Sequence, residues 1–507
     1  METGKMANDT SQTGAPSTIL IGLALATIAI LVGASVVAYE AVQSAGMPAH
    51  APSASPSASP TPGYLVDQTS SPIANRTTVR WFVGLGSGTL TSQIEAQKAF
   101  VANYNATNRD GIAIQLEVVE NPTASEALRA EIAAGNSPDI VGPVGVMGRN
   151  GLSGDFLDLA DEIRKNNVDM TAYDASLVNF LREGSAQIGI PYDISPGYIW
   201  YNKDIFAAAG LPDLPTKIGE PYQGQPWTWD NLARVAASLT VDKNGFHATD
   251  AGFDKNGIVK YGMDFQWADA RRVASCFGGG TFLAADGKTA QIPSAWTDAF
   301  KWYYDAIWKG HYVPTGAGEA STILGSGYPM SSGRLAMNAG WAWSITSIAS
   351  AVADSKVKSW DIAVMPSWNG TTTSPLDADT FTILKTSKNQ DAAFKAMLAI
   401  MADPSLMKNY GSEPARTADQ AAYFDSFDKT LAPVFPGNHV TWSVLSEMAT
   451  VPAMPSHEAD LPNATKANAD ITTFLTRLKN AAGLNIDTEL AKLQQTLQKD
   501  FDSAAAP

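Results

Sequence analysis

The side chains able to do chemistry are unevenly spread. Eleven of the 13 tryptophans, Trp200, Trp227, Trp229, Trp267, Trp296, Trp302, Trp308, Trp341, Trp343, Trp360 and Trp368, fall in one aromatic- and glycine-rich stretch, 195–375. Most should pack cores. Two or three facing a cleft would suit a sugar, because indole faces stack on its C–H faces while polar groups bond its hydroxyls. The chain also carries 50 Asp and Glu residues. A glycosidase would need two of them roughly 5–10 Å apart across the scissile bond, and no local signature marks such a pair. G-x-S-x-G, Walker A and H-E-x-x-H motifs are absent. The five histidines are scattered, and Cys276 is the single cysteine, so it reads as a small buried hydrophobe. Asp250 to Gly257, DAGFDKNG, resembles a calcium loop in composition but lacks the EF-hand spacing and closing glutamate. No catalysis, cofactor or metal is expected from these residues.

A net charge of −15 gives no basic stripe to displace counterions from phosphates, which argues against nucleic acid and favours a neutral or weakly charged ligand. Ile19 to Ala38 is apolar and uncharged. Twenty helical residues span about 30 Å, the thickness of a bilayer core. A signal peptide has a shorter core, of about 7–15 residues, behind a basic leader. Here Lys5 is offset by Glu2 and Asp9, so a retained membrane anchor is expected, with Val36-Val37-Ala38 as the alternative cleavage site. Residues 1–18 are too few for a signalling domain. Residues 39–76, rich in Pro, Ser and Ala, read as an extended tether. Asn75, Asn105, Asn369 and Asn463 open glycosylation sequons.

Beyond the tether the chain reads as alternating strands and helices. Thr78–Val83 is a predicted strand, followed by the turn Gly84-Leu-Gly86-Ser-Gly88 and a helix that Ser92 and Glu95 would cap. A strand over Ile112–Val119, a helix capped by Thr123 and Glu126 and stopped at Gly135, and a strand over Pro138–Val141 complete a β-α-β-α-β unit. That order predicts a parallel sheet with helices on both faces. The turn departs from G-x-G-x-x-G, and no acid stands at the ribose position, so no dinucleotide is expected. Asp139 is expected to pin its loop. Further helices are predicted over Ser387–Met401 and, broken at Gly483, over Asn468–Phe501. The folded part, about 430 residues, exceeds one core and calls for at least two domains.

From Thr78 to about Phe501 the chain resembles the extracellular solute-binding proteins of ABC sugar importers, the group that includes maltose- and oligosaccharide-binding proteins. The matching pieces run in the family's order: Ala133–Val141 (AAGNSPDIV); Gly154–Leu159 (GDFLDL); Gly189-Ile-Pro-Tyr-Asp193, then Tyr198–Phe206 and Ala209-Gly210-Leu211; Pro226–Asp230 (PWTWD); and Gly333–Met337 followed by Gly340-Trp341-Ala-Trp343. The resemblance implies an α/β fold of two lobes joined by hinge strands, lobe one holding 77–193 and 378–412, lobe two 194–377 and 413–507. Together with the apolar run, this gives an expected monomer on the outer face of the cell membrane, anchored by its N-terminal helix, or secreted or periplasmic if that run is cleaved. That monomer would close on a carbohydrate and deliver it to the permease. A sugar sensor of the same fold and a glycan-acting enzyme are the alternatives. Carried over by residue, it implies a stacking role for Trp341, hydroxyl acceptors in Asp193 and Tyr192 at the first crossover, and Asp377 and Asp379 at the second, where many relatives have glycines. Arg416 falls near the third crossover, and Trp343, Trp81 and Trp267 complete the expected ligand set.

Overall fold

The computed structural model describes residues 63–66 and 75–504, except 151, 153, 267, 326–328, 345–355 and 411. The apolar run 19–38, most of the tether and Trp267 lie outside the described residues. Among the described residues no helix is long and apolar enough to cross a membrane.

Four strands, β1 (Tyr64–Val66), β2 (Thr77–Val83), β3 (Ile112–Val119) and β4 (Ile140–Val144), lie in the order β1-β3-β2-β4, and β2 runs parallel to both β3 and β4. This is the expected β-α-β-α-β unit. Alternation along β2 sends Val79, Trp81 and Val83 into one apolar layer and Phe82 into another. Helix Thr91–Thr107 covers the first layer and helix Asn121–Ala133 the second, so the strands are buried on both faces. The caps differ from expectation. The first helix starts at Thr91, which puts Ser92 inside the first turn. Gln93 Oε1 instead accepts the Leu90 and Gly88 N–H groups at 3.2 and 2.8 Å. Thr123 likewise lies inside its helix, behind Asn121 and Pro122. The stop is as predicted. Gly135 takes φ +69°, its N–H reaches Ile132 O, and the Asn136 N–H reaches Glu131 O, closing the helix in a Schellman turn.

A short hairpin of β5 (Arg182–Glu183) and β6 (Ala186–Gln187) leads into β7 (Ile190–Asn202), whose 13 residues are all buried. Further along come β8 (Val241–Asp242), β9 (Ile258–Asp264), β10 (Leu335–Trp341), β11 (Trp360–Ala363), the pair β12 (Ser367–Trp368) and β13 (Thr371–Thr372), then β14 (Leu376–Ile383) and β15 (Glu413–Pro414). The first part of β7, Ile190–Pro196, pairs antiparallel with β14 and β15, and β14 joins it to β4. From Gly197 onward β7 changes partners to β10 and β11. One strand thereby passes between two packed bodies, giving the two-lobed α/β architecture. The larger core gathers Trp200, Trp229, Trp296, Trp341 and Trp360 with helices Ala464–Asn480 and Ile486–Ala504, which Gly483 separates at φ +76°.

Candidate functional site

Where β7 and β14 run side by side, Asp379 stands opposite Asp193, and Asp377 opposite Ser195. Residues two apart on a strand share a face, so these side chains form one polar floor between the lobes. Their neighbours on β7 point the other way. Tyr192 packs edge-on against Phe381 at 5.0 Å and Tyr410 at 5.9 Å in the core of lobe one.

Asp377 is the best-held carboxylate. Arg272, from helix Ala270–Ser275, donates to Oδ2 at 2.8 Å and to Oδ1 at 3.1 Å. Trp343 Nε1 donates to Oδ2 at 3.0 Å, and His457 Nε2 stands 3.3 Å from Oδ1. Burial opposes ionisation of this group. The Arg272 guanidinium and His457 outweigh it and hold the carboxyl below the usual carboxylate range. The Arg272 guanidinium itself lies 5.0 Å over the Trp341 ring.

Asp379 has weaker support. Its Oδ2 accepts the Ser87 N–H at 3.3 Å, from the glycine-rich turn after β2. A Cβ on Gly86 would come within 2.7 Å of that oxygen, so only glycine lets the turn approach. Burial pushes the Asp379 carboxyl up to about 7, aided by Glu458 and Asp377. Burial and the neighbouring Asp379 also push the Asp193 carboxyl well above its ordinary value. Glu458 lies between Met448 and Leu461, both in the larger core. Its Oε2 accepts the Met147 N–H at 3.3 Å, and its main-chain oxygen accepts Asn150 Nδ2 at 2.9 Å. Burial and then Asp377 raise this carboxyl as well. Arg149, buried beside Asp379 and Glu458, donates through Nε to Gly145 O at 3.3 Å.

The structure therefore brings Asp193, Asp377, Asp379 and Trp343 together and places other expected residues elsewhere. Trp81 is 0 % exposed. Strand alternation turns it into the core of lobe one, where Phe100 and Phe381 flank it and Nε1 donates to Gly142 O. Tyr192 and Arg416 line a different space, a cavity of about 700 Å³ on the reverse side of the hinge strands, with Asp169, Tyr173 and Tyr423. Arg416 there precedes helix Thr417–Leu431, 3.8 Å from Asp419. Trp341 is fully buried beneath Arg272, with Nε1 donating to Gln266 O at 3.3 Å. Asp139 pins its loop, accepting the Arg80 N–H at 2.9 Å and the Ser387 hydroxyl at 2.5 Å. Sequence reasoning missed Arg149, Arg272, His457 and Glu458. Arg149 had a signal, since it follows the C-terminal end of a parallel strand, where open α/β sheets bind ligands. The other three had none.

Comparison with curated proteins finds no match. Solved structures with this fold are plentiful. UspC of M. tuberculosis is 20% identical with a TM-score of 0.64, over 84% of this chain and 100% of that one. The sugar-binding protein MalE from Xanthomonas citri is 16% identical with a TM-score of 0.63, over 84% and 98%. The cyclic alpha-maltosyl-1,6-maltose binding protein from Arthrobacter globiformis is 19% identical with a TM-score of 0.60, over 84% and 100%. Residues 88–400 match the family of bacterial extracellular solute-binding proteins, well over half of the sequence, and the chain belongs to that family.

Proposed function

We propose that this protein captures a sugar or oligosaccharide between its lobes, outside the cytoplasm, and passes it to the permease of an ABC importer. The observation that carries this reading is the polar floor of Asp193, Asp377 and Asp379, met from lobe one by Arg149 and from lobe two by Arg272, Trp343 and Glu458. Buried carboxylates beside an indole suit hydroxyl hydrogens and a sugar ring. Similar folds described as a sugar-binding protein and as a cyclic alpha-maltosyl-1,6-maltose binding protein support the ligand class. Asp193, Asp377, Asp379, Trp343 and Trp267 are the proposed ligand contacts, with Trp341 acting beneath them by holding Arg272.

The proposed lobes are 77–193 with 378–412, and 194–377 with 413–507. The change of partners along β7 at Gly197 supports a first crossover close to this boundary. Closure would be a hinge motion of the lobes. The apolar run 19–38 is proposed as the anchor, and one copy as the working unit, binding without catalysis. A thermal-shift screen of the full chain in detergent tests the reading. Maltodextrins, other oligosaccharides, monosaccharides, polyols and peptides are compared. A sugar at a hundred times its Kd should add about 2.7 kcal/mol, and Asp377→Asn should abolish the shift. Stabilisation by a peptide and by no sugar would refute the ligand class.

A further inference from the structure

Resting on the reading that this site takes a polyhydroxylated ligand, we propose that the ligand also carries a protonated amine, received by the carboxylates of Asp193, Asp379 and Glu458. Asp377 is already matched, since Arg272 takes both of its oxygens. The other three are not. Asp193 and Asp379 face each other across β7 and β14, and among the described residues neither forms an ion pair with a lysine or arginine. Arg272 Nη2 stands 3.9 Å from Glu458 Oε1, but its bidentate bond is to Asp377. A Cβ built on Gly145 would meet Asp379 Oδ1 at 2.9 Å and Glu458 Oε2 at 3.9 Å, so carboxylates from both lobes converge on one bare glycine. Arg149 is buried beside Asp379 and Glu458.

Three buried polar atoms here have no hydrogen-bond partner. They are Oδ2 of Asp193, a residue 3 % exposed, and both ring nitrogens of His457, a residue 1 % exposed, whose Nε2 only stands near Asp377 Oδ1. Burying like charges together is costly without a counter-charge. An ammonium supplies one positive charge and three N–H donors, and it would hold ionised the carboxyls of Asp379 and Glu458 that meet beside Gly145, with Asp193 opposite Asp379 on the neighbouring strand. A divalent cation fits less well. Asp377, His457 and Glu458 could offer ligand atoms within 4.8 Å of one another, but Arg272 already occupies Asp377 and would repel the ion.

Calorimetric titration of the full chain in mild detergent at neutral pH tests the proposal with matched triads. These are glucosamine, glucose and N-acetylglucosamine; galactosamine, galactose and N-acetylgalactosamine; and the chitosan disaccharide, cellobiose and chitobiose. In at least one triad the amine should bind tenfold or more tighter than both neutral members. Asp379→Asn and Glu458→Gln should each reduce that preference to less than threefold, with thermal melts checking that they fold. If neither variant folds, the wild-type ratio still decides. Neutral members binding as tightly as amines would overturn the amine while leaving the carbohydrate reading intact. A preference surviving in both variants, or binding of calcium or zinc chloride in place of any amine, would overturn the assignment. No binding across all triads would overturn the amine, while the carbohydrate reading is decided by the wider thermal-shift screen.

Discussion

At the residue scale, the balance around Asp377 makes a signed prediction. Its carboxyl is ionised through its contacts with Arg272 and His457, so its contribution is present above the unfolded pKa and is lost as pH falls through the lower folded value. Arg272→Met should therefore cost about 3–5 kcal/mol at neutral pH, where it strands a buried charge. The loss should shrink in acid, as urea denaturation at the two pH values would read. Glu413 behaves oppositely. Burial raises its carboxyl to about 8, and only the Ser446 hydroxyl eases that. A raised acid contributes fully below its unfolded pKa and loses that contribution as pH rises toward about 8. Glu413→Gln should stabilise the protein at pH 8 by on the order of a few kcal/mol and flatten its pH profile. The slope should persist in part, because Asp264 and Glu117 are also raised to about 8 by burial. Unchanged urea midpoints at pH 8 would contradict this assignment.

At the scale of elements, two glycines separate packing from backbone geometry. A Cβ on Gly262, in β9, would lie 2.0 Å from the main-chain oxygen of Ala236 in helix Trp229–Leu239. Backbone cannot swing aside as a flexible side chain can, so Gly262→Ala should cost about 3 kcal/mol. Gly135 has nothing within 4 Å of the same position but holds φ +69°. Gly135→Ala should cost about 1–2 kcal/mol, the penalty of left-handed backbone alone. Equal losses in urea midpoint would mean that the contact at Gly262 is not limiting. The helix ends show what was legible locally. The stop at Gly135 was readable because a Schellman turn uses only neighbouring residues. The starts slipped by one to three residues because Gln93 and the Asn121-Pro122 pair took over the first turns.

For the whole molecule, β7 ties the two cores together while the polar floor lies beside the change of partners. A ligand touching both lobes should favour the closed arrangement by its differential affinity for it. The radius of gyration from solution X-ray scattering should fall on addition of a sugar that raises the melting temperature, and stay constant with one that does not. A bound sugar with no contraction would remove hinge closure from the proposed function.

The sequence by itself determined the β-α-β-α-β unit, the order of its strands and helices, and membership of a two-lobed family, because periodicity, turns and motifs such as Gly189–Asp193 are written in contiguous residues. It also named Asp193, Asp377 and Asp379, which lie on β7 and β14. Tertiary structure alone decided which side chains share the cleft. Alternation separated Asp193 from Tyr192, though they are adjacent, and sent Trp81 into the core. The turn after β10 left Trp343 reaching Asp377 while Trp341 became its buried support. Arg272 and the His457-Glu458 pair reach the site from distant parts of the sequence. Such partnerships depend on long-range packing, and no local pattern encodes them.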